Sequence, residues 1–243
     1  MVTNPQAGTN VQEIADGIFR INTPAPLPDG TRFSFNQYLV LDDQPLLFHS
    51  GPRQLFPLVS EAIGSVMPID RLRYVGLSHV EADECGAMNQ LLAVAPNAVP
   101  LCGSVAAIVS MGDLADRPPR ALANGEELSL GVHTMRWFDT PHVPHGWECG
   151  LMMDTHTRTF FCGDLFTQPG DGEKALVDTD ILGPSEAFRR QMDYFAHAPH
   201  TATVLAGLAE EKPATLACMH GSAWQGDGSA LLLQLGRSLA GGR

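Results

Sequence analysis

The 243-residue sequence predicts an α/β fold in which two β-sheets pack face to face and helices cover their outer surfaces. Three observations indicate this arrangement. The predicted elements run in the order strands, helices, strands, helices, which fits two packed layers better than a doubly wound sheet. No linker rich in Gly, Ser or charge divides the chain, and no segment recurs at a fixed period. The two halves of the chain, roughly 1–120 and 121–243, are therefore each expected to supply one sheet.

The first half of the chain is expected to begin with a flexible tail over residues 1–10. Alternating apolar residues and turn residues predict strands over 14–22, 33–40 and 44–48, a helix over 52–66, a mainly apolar strand over 72–77 and a short strand over 98–102. From Ala87 onward apolar residues recur at helical spacing, and Ser104 is expected to cap a helix that runs through Met111.

The second half is predicted to open with a connection and to end with helices. Residues 113–124 contain Pro118-Pro119 and are expected to form no regular element. Short strands are predicted over 127–130, 134–138, 151–154 and 159–162, followed by helices over 186–197 and 202–211, a last buried strand over 215–219 and a closing helix over 229–239.

The composition argues against several classes of partner. The 15 Lys and Arg against 27 Asp and Glu leave a net charge of −12, which opposes binding to nucleic acid or to an anionic membrane surface. No run approaches the ~18 apolar residues of a membrane span, and the polar residues 1–10 do not read as a signal peptide. The five cysteines form no CxxC pair and are expected to be reduced thiols, so a cytoplasmic protein is expected.

Potential metal ligands follow four of the predicted strands. His79, Glu81 and Asp83 come directly after the apolar strand 72–77. The other three groups are the Thr-Pro-His-Val-Pro-His-Gly stretch over 140–146, Asp164 after the strand 159–162, and His220 after the strand 215–219. Imidazoles and carboxylates are ligands of transition metals, and these groups together offer enough donors for two ions with one bridging carboxylate. Three carboxylates against two divalent ions leave a site charge near +1.

The order of these four groups resembles the metallo-β-lactamase superfamily. His-x-Glu-x-Asp at residues 79–83, where hydrolases of that superfamily have His-x-His-x-Asp-His, resembles the diiron domain of flavodiiron proteins and the related oxygen-binding diiron proteins. The eighteen residues between His145 and Asp164, the stretch His220-Gly-Ser-Ala-Trp and the early strand Asn36-Gln-Tyr-Leu-Val resemble the same family. The resemblance covers about residues 12–235. It implies an αββα sandwich of the metallo-β-lactamase type, with residues 11–243 as a single domain.

The resemblance also implies a ligand set for two iron ions. His79, Glu81 and His145 would bind one iron, Asp83 and His220 would bind the second, and Asp164 would bridge them. Oxygen ligands favour iron or manganese, whereas a His-rich set suits zinc. Iron is the expected metal, and manganese and zinc are the alternatives.

Several residues near these ligands keep more than one interpretation. Glu84 stands where the hydrolases have a ligand histidine, and it is either a ligand or a partner of one. His142 competes with His145 as a ligand, and the eighteen-residue spacing favours His145. His49 stands where the superfamily usually has an Asp before a glycine, and its role is open. Trp147 and Trp224 either wall a small-molecule pocket or simply pack.

The expected function is binding or reduction of O2 or NO at the diiron site. The 243 residues include no flavodoxin domain, so FMN is not expected to be bound in the usual way, and electrons for a reductase would come from a separate flavoprotein or rubredoxin. Reversible O2 binding by a sensor needs no such donor. The alternative from another class is a dinuclear zinc hydrolase of thioesters, lactones or phosphoesters. A homodimer is the usual expectation for a soluble oligomer.

Overall fold

The computed structural model of the chain describes residues 1–27 and 30–241. Within these ranges the strands are β1 Val2–Asn4, β2 Thr9–Ala15, β3 Ile18–Pro26, β4 Arg32–Val40, β5 Leu46–Phe48, β6 Tyr74–Gly76, β7 Val99–Gly103, β8 Arg120–Leu122, β9 Glu127–Ser129, β10 Thr134–Asp139, β11 Gly150–Asp154, β12 Thr159–Gly163, β13 Leu176–Val177, β14 Thr215–Cys218 and β15 Ala223–Gln225.

Along the chain, the helices within these ranges fall between strands or after the last strand. They are α1 Phe56–Gly64, α2 Ala82–Cys85, α3 Met88–Val94, α4 Ser104–Ala106, α5 Gly112–Leu114, α6 Leu182–Met192, α7 Thr201–Glu210 and α8 Gly228–Gly241. Short 3₁₀ turns occupy Arg53–Leu55 and Ile69–Arg71, and a π-helical turn over Ala107–Met111 joins α4 to α5. Among these described helices, none is both long and apolar enough to cross a membrane.

The two halves of the chain each build one mixed sheet, as the sequence predicts. The first sheet contains β1 to β8 in sequence order, with antiparallel pairs up to β5 and parallel pairs from β5 to β8. The second sheet has the order β13-β15-β14-β12-β11-β10-β9, in which β12 and β14 are parallel neighbours. The parallel strands matter for function because their carboxyl ends point the same way and can bring loop side chains together.

Three apolar layers give the αββα sandwich that the sequence predicts. The middle layer lies between the two sheets and contains large buried side chains such as Tyr38, Phe48, Trp137 and Phe161. A second layer packs the first sheet against α1 and α3, and a third packs the second sheet against α7 and α8. Strands whose two faces both meet apolar layers are mainly apolar in sequence, which is why the strand predicted over 72–77, seen here as β6 Tyr74–Gly76, could be recognised.

The structure differs from the sequence prediction at sheet edges and turns. The expected flexible tail over 1–10 is wrong, because β1 pairs antiparallel with β2 and the Met1 amino group donates a hydrogen bond to Val11 O at 2.7 Å. The strand predicted over 14–22 is two strands, separated by a turn at Gly17 with φ +64. The predicted connection over 113–124 contains β8. Edge strands of three residues are too short to show alternation in the sequence, so backbone pairing defines them.

We expect replacement of Trp137 by Ala to destabilise the fold strongly, because its side chain is 0% exposed in the layer between the sheets. The loss should be about 3–5 kcal/mol of unfolding free energy. Trp147 is 58% exposed and gives a matched control, for which the Ala variant should change stability by no more than about 0.5 kcal/mol. Urea denaturation of the metal-free proteins measures both values, and equal losses would contradict the assignment of the core.

Candidate metal centre

Four loops at the ends of strands meet at one end of the sandwich. The loop after β6 carries His79 and Glu81 and leads into α2, whose first turn carries Asp83 and Glu84. The loop after β10 carries His145, the residue after β12 is Asp164, and His220 follows β14 by two positions. One loop comes from the first sheet and three come from the second, so the site is complete only when the two sheets are packed together.

Asp164 stands at the centre of the group and faces two sets of ligands. Its Oδ2 lies 3.2 Å from His145 Nε2 and 3.5 Å from His79 Nε2. Its Oδ1 lies 3.3 Å from His220 Nε2 on the other side. The preceding Gly163 has φ +52, a conformation that favours glycine, and a Cβ there would press on the Ser78 side chain. The turn at Gly163 thus places one carboxylate between two groups of imidazoles.

The imidazole nitrogens and carboxylate oxygens of the site lie close enough together to bind cations. The Nε2 atoms of His79 and His145 lie 2.9 Å apart, and Glu81 Oε1 is 3.2 Å from the His145 nitrogen. On the other side Asp83 Oδ2 is 3.3 Å from His220 Nε2. Three sets of donors, each with atoms within 4.8 Å of one another, are found among the described residues: His79 with Glu81 and His145, His79 with Glu84 and Asp164, and Asp83 with Glu84 and His220. Mixed nitrogen and oxygen donors in this number suit two divalent transition-metal ions.

In the metal-free site, protonated histidines pair with the buried carboxylates. Burial alone would raise the pKa of Asp164, but hydrogen bonds from His145 and His220 hold it well below its usual value. Burial alone would lower the pKa values of those two histidines, but hydrogen bonds to Asp164, and to Glu81 or Asp83, raise each to about 10. The cations that neutralise the carboxylates in the metal-free protein are therefore imidazolium groups. A metal ion that binds the same nitrogens would displace their protons.

A buried chain of hydrogen bonds orients the ring of His79. Its Nδ1 lies 3.0 Å from Ser78 Oγ, which in turn lies 2.9 Å from His49 Nε2, and His49 Nδ1 lies 2.9 Å from Met219 Sδ. Burial, followed by the nearby His79, lowers the pKa of His49 to about 3, so its ring is neutral. One proton order satisfies every contact: His79 donates to Ser78, Ser78 donates to His49, and His49 donates to sulfur. This order leaves His79 Nε2 without a proton and free to bind a metal.

The loop that carries His220 is held by the first sheet. His220 Nδ1 donates to Ser34 O at 2.8 Å, which leaves Nε2 directed at Asp83 and Asp164. Asn36 Nδ2 donates to Gly221 O at 2.8 Å and to Cys218 O at 2.9 Å. The fully buried Arg20 also donates to Gly221 O, at 3.2 Å. These hydrogen bonds connect the two sheets beside His220, at the point where its side chain extends into the site.

A cavity of about 150 Å³ opens onto the ligands. Apart from Glu81, Asp83, His145, Asp164 and His220, its walls are the side chains of Phe33, Thr167, Phe188, Met192 and Tyr194. Phe33 lies against the ring of His220 with centroids 4.3 Å apart, and Tyr194 meets the ring of His145 edge-on at 5.9 Å. The space above the ligands is small and largely apolar.

Some of the neighbouring residues lie away from the ligands. His142 is exposed and its ring lies 6.1 Å from that of His200, whereas His145 is the histidine of this loop that lies in the site. Trp147 is exposed, and Trp224 packs with the apolar layer of the second sheet. Neither tryptophan belongs to the walls of the cavity described above. Glu84 and His49, by contrast, are buried beside the ligands.

Three residues of the site carried no recognisable signal in the sequence. Arg20 lies in a strand and is an isolated arginine, and its role depends on contacts with residues more than 150 positions away. Phe33 could not be distinguished from an ordinary core aromatic. Tyr194 falls inside the helix predicted over 186–197, but α6 ends at Met192 and Asp193 adopts φ +50, which turns Tyr194 toward the site.

Comparison with solved structures identifies the fold class. The chain superposes on rubredoxin oxygen:oxidoreductase from Desulfovibrio gigas with a TM-score of 0.81 at 20% identity, covering 94% of this chain and 62% of that one. The flavodiiron protein from Giardia intestinalis gives a TM-score of 0.79 at 17% identity, over 96% of this chain and 60% of the other. At this identity the likeness establishes the fold.

Curated sequences give the same class. Rubredoxin-oxygen oxidoreductase of Megalodesulfovibrio gigas is 25% identical over 196 residues, which are 76% of this chain and 48% of that protein. Anaerobic nitric oxide reductase flavorubredoxin of Pectobacterium atrosepticum is 22% identical over 209 residues, 82% of this chain and 40% of that protein. The matches span about a quarter to a half of the length of the curated relatives.

The fold is of the metallo-β-lactamase-like class and is similar to one part of the flavodiiron proteins compared above. Within that class the family model described as "ODP family beta lactamase" matches residues 33–221. The chain belongs to this family.

We expect the metal-free protein to lose stability as the pH rises. His145 and His220 have pKa values near 10 in the folded protein, above the value of about 6.5 for an unfolded histidine. Their contribution is therefore complete below about pH 6.5 and is lost as the pH rises toward 10, by at most about 1.4 kcal/mol per pH unit for each histidine.

Urea denaturation of the metal-free protein between about pH 7 and 9 measures this slope. Asp164→Asn supplies the control, because it removes the charge that both histidines face, and its slope should be smaller. A wild-type stability that is flat or rises over this range would contradict the charge pairing described here.

Proposed function

We propose that this protein is a non-haem diiron protein that binds or reduces O2 or NO. The observation that carries the proposal is the placement of Asp164, whose two carboxylate oxygens face different imidazole groups. A carboxylate in this position can bridge two metal ions. A single-ion site would have no use for the second set of donors, Asp83 and His220.

The proposed ligands divide into two sets around Asp164. His79, Glu81 and His145 would hold one iron, and Asp83 and His220 would hold the other. When bound, the two iron ions supply the redox chemistry that O2 or NO reduction needs. The protein's own contribution is to direct two of the Nε2 atoms inward, through Ser78 for His79 and the Ser34 carbonyl for His220.

The preference for iron rests on Glu81. A carboxylate at this position adds a negative charge and a hard oxygen donor, both of which stabilise a higher oxidation state of the metal. Glu81 Oε1 lies 3.2 Å from His145 Nε2, in the same set of donors as His79. A zinc hydrolase gains nothing from a ligand that stabilises an oxidised metal, since zinc does not change its oxidation state.

The cavity supports a diatomic substrate. Its volume of about 150 Å³ is below the roughly 300–1,000 Å³ of pockets that take larger ligands. Phe33, Phe188 and Met192 offer apolar walls, which suit uncharged gases. The Tyr194 hydroxyl donates to the Asp164 carbonyl at 3.2 Å, and burial raises its pKa, so the phenol stays protonated beside the ligands.

The named activities of the relatives agree with this choice of substrates. One relative is called an oxygen oxidoreductase that uses rubredoxin, and another an anaerobic nitric oxide reductase. If this protein reduces O2 or NO with turnover, we propose that a separate flavoprotein or rubredoxin supplies the electrons. If it only binds O2 reversibly, it would act as a sensor and need no donor.

Metal analysis and gas consumption test the proposal together. Protein isolated from cells and protein loaded anaerobically with Fe(II) should each hold two irons per chain. With a chemical or flavoprotein reductant, continuous loss of O2 or NO would support the reductase, and one stoichiometric uptake without turnover would support the sensor. Two colourless zinc ions, with hydrolysis of a thioester, lactone or phosphoester, would instead support the alternative hydrolase.

We expect Asp164→Ala to remove both metal ions, because each set of donors loses the carboxylate it shares. Plasma emission analysis after anaerobic loading should give much less than one iron per chain. Circular dichroism checks that the variant is folded. Retention of two ions at wild-type affinity would refute the bridging role.

We expect Glu81→His to shift metal preference from iron toward zinc, because an imidazole replaces a hard, negatively charged donor. Competition between Fe(II) and Zn(II) for the metal-free protein measures the shift, which should be roughly tenfold or more. Exposed Glu127, which pairs with Arg136 far from the site, provides Glu127→His as a control. An unchanged ratio in the Glu81 variant would count against the role given to this carboxylate.

A further inference from the structure

We propose that Glu84 is a metal ligand, which gives the second ion a fourth protein ligand beside Asp83, Asp164 and His220. The inference rests on the dinuclear site proposed above and adds a donor to the six residues named there. It settles a choice that the sequence leaves open, between a ligand and a residue that merely contacts one. Three independent features of Glu84 support it: its burial, its position and its rigid backbone.

Burial makes an unliganded Glu84 costly. The residue is 0% exposed, and among the described residues no N–H or hydroxyl group donates a hydrogen bond to either carboxylate oxygen. The side chain that it contacts through a polar atom is another acid, Asp83. Burying a carboxylate without a partner is strongly unfavourable, so such groups are normally paired or bound to a metal. The neighbours make the problem worse, because Asp83 and Asp164 carry charge of the same sign. A cation beside Glu84 would remove this penalty.

Position places the Glu84 carboxylate between the two sets of donors. It forms one set with Asp83 and His220 and another with His79 and Asp164, all atoms within each set lying within 4.8 Å. Its Oε2 lies 4.0 Å from His79 Nε2, a separation that a shared metal ion can span. From this position the carboxylate would serve the second ion together with Asp83 and His220.

The backbone of α2 holds this carboxylate in place. Ser50 N donates to Glu84 O at 2.7 Å, and Ser50 Oγ accepts from Ala87 N at 3.0 Å. Glycine at 86 lets the helical turn close here, since a Cβ would collide with Ala82 O and approach Arg53 N. The main chain from which the Glu84 side chain extends is therefore fixed beside the site.

Glu186 shows what a buried glutamate with a structural role looks like in the same protein. It is 5% exposed, and its two oxygens accept from Arg189 at 2.7 and 2.9 Å. Ser238 donates to it as well. Glu84 has none of these protein partners, although it is buried more completely.

A fourth carboxylate changes the charge of the site. Glu81, Asp83, Glu84 and Asp164 together carry four negative charges, which balance two divalent ions and leave the site neutral. The donor set then holds more carboxylates than imidazoles, which favours iron or manganese over zinc. Where the hydrolases of the superfamily have a ligand histidine, this chain would keep a ligand but change its charge.

The test uses full-length, metal-free protein titrated anaerobically with Fe(II) alone. Wild-type protein should bind two ions. Glu84→Gln should keep the first ion and bind the second at least roughly 100-fold more weakly, because the amide is a neutral and poorer ligand. Denaturation midpoints give a second readout: the metal-free variant should be as stable as wild type or more so, while the stabilisation by Fe(II) becomes smaller.

Glu186→Gln is the matched control, because it makes the same chemical change at the other buried glutamate. It should lower the stability of the metal-free protein and leave two Fe(II) sites of unchanged affinity. Glu84→His tests the donor type directly. It should bind two ions, with a competition ratio shifted toward Zn(II) relative to wild type.

The outcomes separate this inference from the proposed function. Two Fe(II) sites of wild-type affinity in Glu84→Gln would overturn the ligand role and leave the diiron function standing. Fewer than two ions in the wild-type protein would overturn both. If Glu84→Gln does not fold, Glu84→His decides: a shifted Fe(II) to Zn(II) ratio supports the ligand role, and an unchanged ratio overturns it.

Discussion

The burial of Asp164 and Glu84 among other acidic groups is the constraint on which the rest of this structure depends. Two carboxylates held away from water repel each other and their neighbours unless cations lie between them or one of them keeps its proton. Burial, followed by the charges of Asp164 and Asp83, raises the pKa of Glu84 well above its usual value. In the metal-free protein His145 and His220 supply part of that positive charge, at the expense of their own desolvation. Metal ions would supply it fully, so binding and folding stability are coupled at this point. The fold can tolerate such a site only because its apolar layers lie elsewhere.

The packing of the two sheets converts scattered sequence positions into one site. The loop after β6 belongs to the first sheet, whereas His145, Asp164 and His220 follow strands of the second. Arg20 and Asn36 extend from the first sheet to the backbone carbonyls of the His220 loop. These bonds are buried, so loss of either donor would leave carbonyl groups unpaired in the interior. The same contacts therefore stabilise the sandwich and position the ligand.

The sequence was informative wherever a strand ended in a polar group. Continuous apolar runs predict buried strands, and a histidine or acid directly after such a run, as at His79, Asp164 and His220, has few structural reasons to be there. The structure brings together the six residues that the family resemblance implies as ligands, and the family and the fold are confirmed. Residues that act through distant contacts were not found. Arg20 and Tyr194 depend on backbone turns and long-range pairing that no local pattern records. The edge strands β1 and β8 depend on a neighbour for the same reason.

The helical turn after β6 explains why the run from His79 to Gly86 can hold so many potential ligands. A turn of helix brings residues three positions apart to the same side, so Glu81 and Glu84 can face the same space, with Asp83 directed at His220. The short α2 thus gives donors to both ions from one element, and its attachment through Ser50 fixes all of them at once. The three loops of the second sheet then need to add only one residue each. The choice of metal then depends on Glu81 and on the first turn of α2 that follows it, whereas the bridging geometry depends on Asp164. Substitutions over residues 81–84 are therefore the natural route by which a protein of this fold could exchange one metal, and one reaction, for another.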